Sequence, residues 1–221
     1  MRLIQTILGL FFAWLYHSLA WSYDPIAALV SLGRWRGWVV SVLPYIEEKY
    51  ILELGHGPGH LQLAMQRRNR FVFGLDESRQ MGCLTAHRMR RVGIKSLNLT
   101  RGLTQHLPFA SNSFATVVST FPSEYVADLR TLTEAYRVLI PGGRFVVLPV
   151  AWITGKRIHE RFIAWLFHVT GEVSDPVGVI SKRLTKLFRQ AGFQVEVKRS
   201  VQKSSLLLII LATKSTSTGQ K

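Results

Sequence analysis

Two things are scarce in this 221-residue chain: cysteine and acid. Cys83 is the only cysteine. That excludes an intramolecular disulfide and any thiolate metal cluster, and it fits a reducing compartment. Thirteen acidic side chains stand against 28 basic ones, a formal net charge of +15. Such a field attracts polyanions, whether anionic lipid headgroups or nucleic acid. The basic residues gather in Arg67-Arg68-Asn69-Arg70, Arg88-Met89-Arg90-Arg91, Lys182-Arg183 and Lys186. They fall mostly on expected helices, where a solvated face is the plainer reading. Internal repeats and a second domain are also missing, so the length is that of one domain with a full core. With 48% hydrophobic residues, disorder is excluded.

Charge is absent altogether from Leu3 to Trp21. The apolar residues there go all round a helix instead of forming a stripe. Nineteen residues come close to the ~30 Å needed to cross a hydrocarbon core. Gln5, Thr6, His17 and Ser18 weaken a span, while Trp14, Tyr16 and Trp21 are residue types that prefer the interface. An interfacial or shallowly inserted helix is therefore favoured over a single span or a helix capping the domain's own core. A cleaved signal peptide is the weakest reading, despite Ser18-Leu19-Ala20. The expected organisation is a membrane-associating helix over 1–22, a catalytic domain over 23–213 and a polar tail over 214–221. If the segment spans, Arg34, Arg36 and Lys49 favour a cytoplasmic domain; the expected location is the cytoplasmic face of a membrane, by a peripheral contact or a single N-terminal anchor. Asp24-Pro25 opens a second helix running to about Leu43, since aspartate caps well and proline suits the first helical position.

Tyr50 to Leu54 reads as a short buried strand with Glu53 near its end. It is followed by Gly55-His56-Gly57-Pro58-Gly59 and a helical pattern through Arg68. Glycines allow backbone conformations closed to other residues and let a ligand approach the main chain. Ligands of open α/β sheets bind beyond the carboxyl ends of the strands, where this turn lies. The turn alone is shared with dinucleotide-binding domains. Glu53 discriminates, because a pyrophosphate would not want a carboxylate there, whereas a cationic amino-acid-bearing ligand can use one. The next strand, Phe71 to Leu75, ends at Asp76, placed to accept ribose hydroxyls.

Ile51-Leu52-Glu53-Leu54-Gly55-His56-Gly57-Pro58-Gly59 resembles motif I of class I S-adenosylmethionine-dependent methyltransferases. Gly74-Leu75-Asp76-Glu77-Ser78 resembles the ribose-binding corner of the same family. Leu107-Pro108-Phe109-Ala110-Ser111-Asn112-Ser113-Phe114 and Glu134-Ala135-Tyr136-Arg137-Val138-Leu139-Ile140-Pro141-Gly142-Gly143-Arg144-Phe145 follow in the family's order. The nearest subgroup looks like the type 11 domains, which include ubiquinone/menaquinone-biosynthesis C-methyltransferases and some phospholipid N-methyltransferases. The resemblance implies a Rossmann-like α/β fold: a seven-stranded, mostly parallel sheet with helices on both faces and an antiparallel hairpin, Phe193–Lys198 with Ser204–Thr213, at its end. It implies S-adenosyl-L-methionine as cofactor, held by Tyr23, Glu53, Gly55, His56, Gly57, Gly59, Asp76, Glu77, Thr104, Gln105 and Thr120. Where the family often has an acid before Leu-Pro-Phe, this chain has Gly102-Leu103-Thr104-Gln105-His106, and the aspartate after Ser-Phe is Ala115. Adenine recognition must then come from the backbone, Thr104 or Gln105.

A carbon acceptor needs a base, a nitrogen or oxygen acceptor less so. His106, Glu124 and Tyr125 are the catalytic candidates, with His17 and Tyr23 also near the mouth. His56 and His60 are four apart, but the glycine turn between them is committed to the cofactor and no third ligand stands out, so no metal is expected. Thr154 to about Val169 reads as a helix packed on the core, or as a greasy substrate wall. The expected acceptor is a small or lipid-like molecule resident in an anionic membrane. An RNA methyltransferase and a non-catalytic cofactor-binding scaffold are the alternatives. Oligomeric state is not fixed by these residues.

Overall fold

The computed structural model describes residues 28, 31–46, 50–68, 71–154, 176–202 and 204–216. The apolar segment over 1–22, Tyr23, the start of the second helix and the segment from 155 to 175 lie outside them. Among the described residues no helix is long and apolar enough to cross a membrane.

Seven strands form one sheet in the order β3-β2-β1-β4-β5-β7-β6. They are β1 (Tyr50–Leu54), β2 (Phe71–Asp76), β3 (Asn98–Arg101), β4 (Phe114–Thr120), β5 (Leu139–Ile153), β6 (Phe193–Gln202) and β7 (Ser205–Lys214). The first five run parallel, and β7 is antiparallel to both β5 and β6. The helices are α1 (Trp35–Val40), α2 (His60–Gln66), α3 (Arg79–Arg91), α4 (Leu129–Val138) and α5 (Pro176–Gln190). This is the expected seven-stranded α/β architecture with its antiparallel ending. β3 is a strand that the sequence reading did not single out; its four residues carry no strong apolar run.

Strand alternation divides the core into two layers. Leu52, Val117, Phe145, Val147, Ile210 and Ala212 face α4 and α5, where Leu132, Ala135, Leu184 and Phe188 meet them. Ile51, Val118, Val146, Leu148, Ile209 and Leu211 face the other way, against Trp38, Val39, Leu61 and Met65 of α1 and α2. Burial on both faces explains why the central strands are largely apolar.

Three boundaries differ from expectation. The helix expected to continue to Leu43 is interrupted at Leu32 and Gly33, both with positive φ, and Gly33 N–H donates to Ala28 O five residues back. That is a helix-ending geometry with leucine where glycine is usual. Ser31 Oγ then accepts from Trp35 N–H at 2.9 Å and starts α1. Pro141-Gly142-Gly143, a sequence expected to end a helix and reverse the chain into the fifth strand, lies inside β5 instead: the strand is already paired at Leu139, with a bulge between the pairs Phe114–Leu139 and Thr116–Arg144. Lys214, where the polar tail was expected to begin, ends β7 instead; its Nζ donates to Leu139 O and Asn112 Oδ1.

Candidate functional site

The carboxyl ends of β1, β2 and β4 converge on the glycine turn. Gly55, Gly57 and Gly59 all have positive φ. A Cβ on Gly55 would run into the Tyr125 hydroxyl, and one on Gly59 would come within 2.6 Å of the Thr85 side chain, whereas one on Gly57 would meet nothing within 4 Å. The turn is closed by protein on two sides and open at Gly57.

Asp76, only 2% exposed, ties this turn to the next one. Its Oδ2 accepts from Gly57 N–H and its Oδ1 from Ser78 N–H, both at 2.9 Å. Ser78 in turn caps α3 by accepting from Met81 N–H. His56 is buried with Nδ1 at 2.8 Å from Gly57 O, which puts a proton on that nitrogen. Burial holds its pKa below the ordinary value, against the pull of the Asp76 charge and the Gly57 carbonyl. His56 is thus a neutral strut of the turn. Thr85 Oγ1 also donates to Gly57 O at 2.8 Å, and Arg88 donates to Pro58 O. Arg88, assigned from sequence to a solvated basic face, is therefore part of the turn's support.

Glu53 is 1% exposed, and its Oε2 has no hydrogen-bond partner. Burial raises its carboxyl well above the ordinary range; the Gln62 amide opposes this and the Asp76 charge adds to it. A buried acceptor without a donor is costly in the ligand-free protein.

The loop after β4 is fastened to β1. Ser119 Oγ and Tyr125 OH both lie within hydrogen-bond distance of Leu54 O, at 2.9 and 3.0 Å, and 2.7 Å from each other. Two hydroxyl hydrogens cannot fill three contacts, so one of the three is always without a proton. Tyr125, a catalytic candidate, thus serves as the roof over Gly55. Thr120 ends β4, half-buried, and Phe121 follows with a φ of +49°. His106, Glu124 and Glu77 are exposed. Thr104 Oγ1 pairs with Thr131 Oγ1 at 2.9 Å, and Gln105 Nε2 donates to Asp128 Oδ2. Both of the side chains expected at the adenine therefore have protein partners on or beside α4. Leu103, standing where the family often has an acid, is 52% exposed.

The Leu-Pro-Phe run is held by an ion pair that sequence reading quoted but gave no role. Arg137 donates to Glu134 Oε1 and Oε2 at 2.7 and 2.9 Å, and to Leu107 O and Phe109 O at 3.0 and 2.8 Å. Glu134 Oε2 accepts from Leu107 N–H at 2.7 Å, and the Arg137 guanidinium holds the Glu134 carboxyl below its ordinary range. The Glu-x-x-Arg spacing puts both on one helix face. Arg137→Ala is expected to destabilise the protein by roughly 2–3 kcal/mol, since two carbonyls and a carboxylate lose a charged donor. Chemical denaturation checks this, and an unchanged midpoint contradicts it.

Two hollows border the described residues. One of about 530 Å³ runs along α5, lined by Lys182, Lys186 and Arg189 among others, away from the glycine turn. The other, about 220 Å³, is lined by Ala28, Gly33, Trp35, Arg36 and His60, and so abuts the turn.

The sequence model of the ubiE/COQ5 methyltransferase family matches residues 12–177. The ubiquinone/menaquinone biosynthesis C-methyltransferase of Bartonella quintana is 29% identical over 164 residues, covering 70% of this chain and 63% of the relative. The demethylmenaquinone methyltransferase of Lactiplantibacillus plantarum is 32% identical over 217 residues, covering 87% and 90%. This chain therefore spans somewhat less than two thirds of the first relative and nearly all of the second. An S-adenosylmethionine-dependent methyltransferase from Methanosarcina mazei superposes with a TM-score of 0.58 at 20% identity, covering 80% of this chain and 97% of that one. That likeness shows the fold alone. On the family match and the Lactiplantibacillus relative, the chain belongs to the ubiE/COQ5 methyltransferase family, whose cofactor is S-adenosylmethionine.

Proposed function

We propose that this chain transfers the methyl group of S-adenosylmethionine to a ring carbon of a quinone-type acceptor in its reduced, hydroquinone form. The observation that carries the cofactor half is the orphaned Glu53 Oε2, buried near the end of β1, the strand that leads into the turn left open at Gly57. An α-ammonium group supplies the donor that this carboxylate lacks, and its charge favours the ionised form that burial disfavours. Asp76 faces the ribose, and Gly55 to Gly59 border the methionine portion. The exposed Leu103 side chain covers the adenine edge, with polar recognition left to the backbone near Gly102 to Gln105. When bound, the cofactor supplies a methyl whose bonding pair stays with sulfur as the acceptor displaces it. The protein's task is orientation and exclusion of water.

The acceptor half is supported by the names of the two relatives, which are quinone-biosynthesis methyltransferases. A ring carbon becomes nucleophilic as a neighbouring hydroxyl gives up its proton, and the ring regains aromaticity when the methylated carbon loses its hydrogen. His106 and Glu124, exposed near the mouth, remain the proton acceptors we propose. The apolar Leu3–Trp21 segment and the +15 charge support work at the cytoplasmic face of an anionic membrane, where prenylated acceptors reside.

Radiolabelled S-adenosylmethionine is the test, offered with one-prenyl benzohydroquinone and naphthohydroquinone beside phosphatidylethanolamine and RNA. Label on a ring carbon of a hydroquinone is expected. Label only in lipid or RNA overturns the acceptor assignment.

A further inference from the structure

The roughly 220 Å³ cavity beside the glycine turn joins two parts of the fold outside the residues assigned above to the cofactor. His60 directly follows Gly59 and begins α2, while Trp35 and Arg36 begin α1. Trp35 also stacks on Phe121, the residue just past β4, with ring centroids 4.2 Å apart and planes 28° from parallel. Trp38 packs on the same ring at 6.1 Å. Phe121 reaches that place through a left-handed backbone, φ +49°, fixed by its N–H on Leu148 O at 2.7 Å. A bulky residue with positive φ is strained, and such strain persists where its surroundings hold the ring in one position. The strain here fixes Phe121 under Trp35 at the carboxyl edge of β4, the strand paired with β1, which leads into the glycine turn.

We infer that this cavity is the acceptor's ring pocket: Trp35 offers an aromatic wall, and Arg36 and His60 meet the ring oxygens. A cavity of roughly 150 Å³ is enough for a benzene ring, so the space takes a substituted ring. Flat rings stack well on tryptophan. The Arg36 guanidinium is a charge-assisted donor for an oxygen that is losing its proton, and the His60 imidazole accepts or donates a hydrogen bond at the second oxygen. A phosphate headgroup would suit the two polar side chains but has no use for the indole wall. The inference rests on the hydroquinone reading above and adds to it the residues that select a ring.

The test takes the full chain with whichever of the two one-prenyl hydroquinones the wild type methylates faster. Trp35→Ala is expected to raise the acceptor KM about tenfold, with Trp35→Phe restoring most of it. Arg36→Gln is expected to raise the same KM several-fold. S-adenosylhomocysteine affinity by calorimetry and the melting temperature of Trp35→Phe and Arg36→Gln stay near wild type, which separates acceptor binding from misfolding. If the wild type methylates the hydroquinone and both Trp35→Ala and Arg36→Gln keep its acceptor KM, the pocket assignment is overturned and the reaction assignment stands. If the wild type binds the cofactor but methylates neither hydroquinone, the reaction assignment falls and the pocket falls with it.

Discussion

Asp76→Ala is expected to weaken S-adenosylmethionine binding by at least a hundredfold, close to the upper worth of one hydrogen bond to a charged group, about 3 kcal/mol. The Asp76 carboxylate accepts two backbone N–H bonds in the ligand-free protein, from Gly57 and Ser78. Its removal frees the apex of the glycine turn and the start of α3 together, besides removing the proposed ribose partner. Asp76→Asn keeps the shape but places a donor opposite one of two N–H groups, so its loss is expected to lie between wild type and alanine. Calorimetry gives the affinities, and near-ultraviolet circular dichroism confirms that each variant is folded. Unchanged affinity in a folded Asp76→Ala protein would show that neither the turn's order nor the ribose depends on this carboxylate.

Glu53→Gln is expected to act in opposite directions on stability and on binding. The buried Glu53 carboxyl has its folded pKa raised above the ordinary 4.5, first by burial. The folded state therefore holds that proton more tightly than the unfolded chain does. The resulting stability is complete below pH 4.5 and is lost as pH rises through the folded value. The ligand-free wild type should thus lose stability relative to Glu53→Gln as pH rises from 4.5 toward the folded value. Other carboxylates, Glu134 among them, run the other way, so the difference between the two proteins is the quantity to follow. Cofactor affinity should fall about tenfold or more in the glutamine variant, because an amide carries no charge to meet an ammonium. A pH-independent difference would mean that Glu53 is not held protonated by burial; undiminished affinity would remove it from the cofactor site.

The order of elements was legible because strands buried on both faces write themselves as short, largely apolar runs. Tyr50 to Leu54 and Phe71 to Leu75 stand within a residue of the observed β1 and β2. The closing hairpin, expected over Phe193–Lys198 and Ser204–Thr213, stands as β6 and β7. What stayed hidden depends on contacts distant in sequence or on one residue's backbone. Nothing local marks Leu32 or Phe121 as left-handed, since both are large residues that usually avoid that region. Arg137 reaches carbonyls 28 and 30 residues away, and Tyr125 lies 71 residues from the Leu54 carbonyl it covers. The cofactor turn was visible as a pattern of glycines and acids. That Asp76 spends its oxygens on Gly57 and Ser78, and that Thr104 and Gln105 turn to Thr131 and Asp128, could be seen only in three dimensions. Trp35 escaped attention, and His60 was weighed only as a metal ligand, because they are ordinary residues until α1 and α2 bring them to one cavity.

The most direct measurement is calorimetric titration of the purified chain with S-adenosylmethionine, S-adenosylhomocysteine and NADH. Saturable binding of the first two and none of the third is expected, because the buried Glu53 carboxylate favours an ammonium and opposes a pyrophosphate. Binding of NADH, or of none of the three to a folded protein, would contradict it.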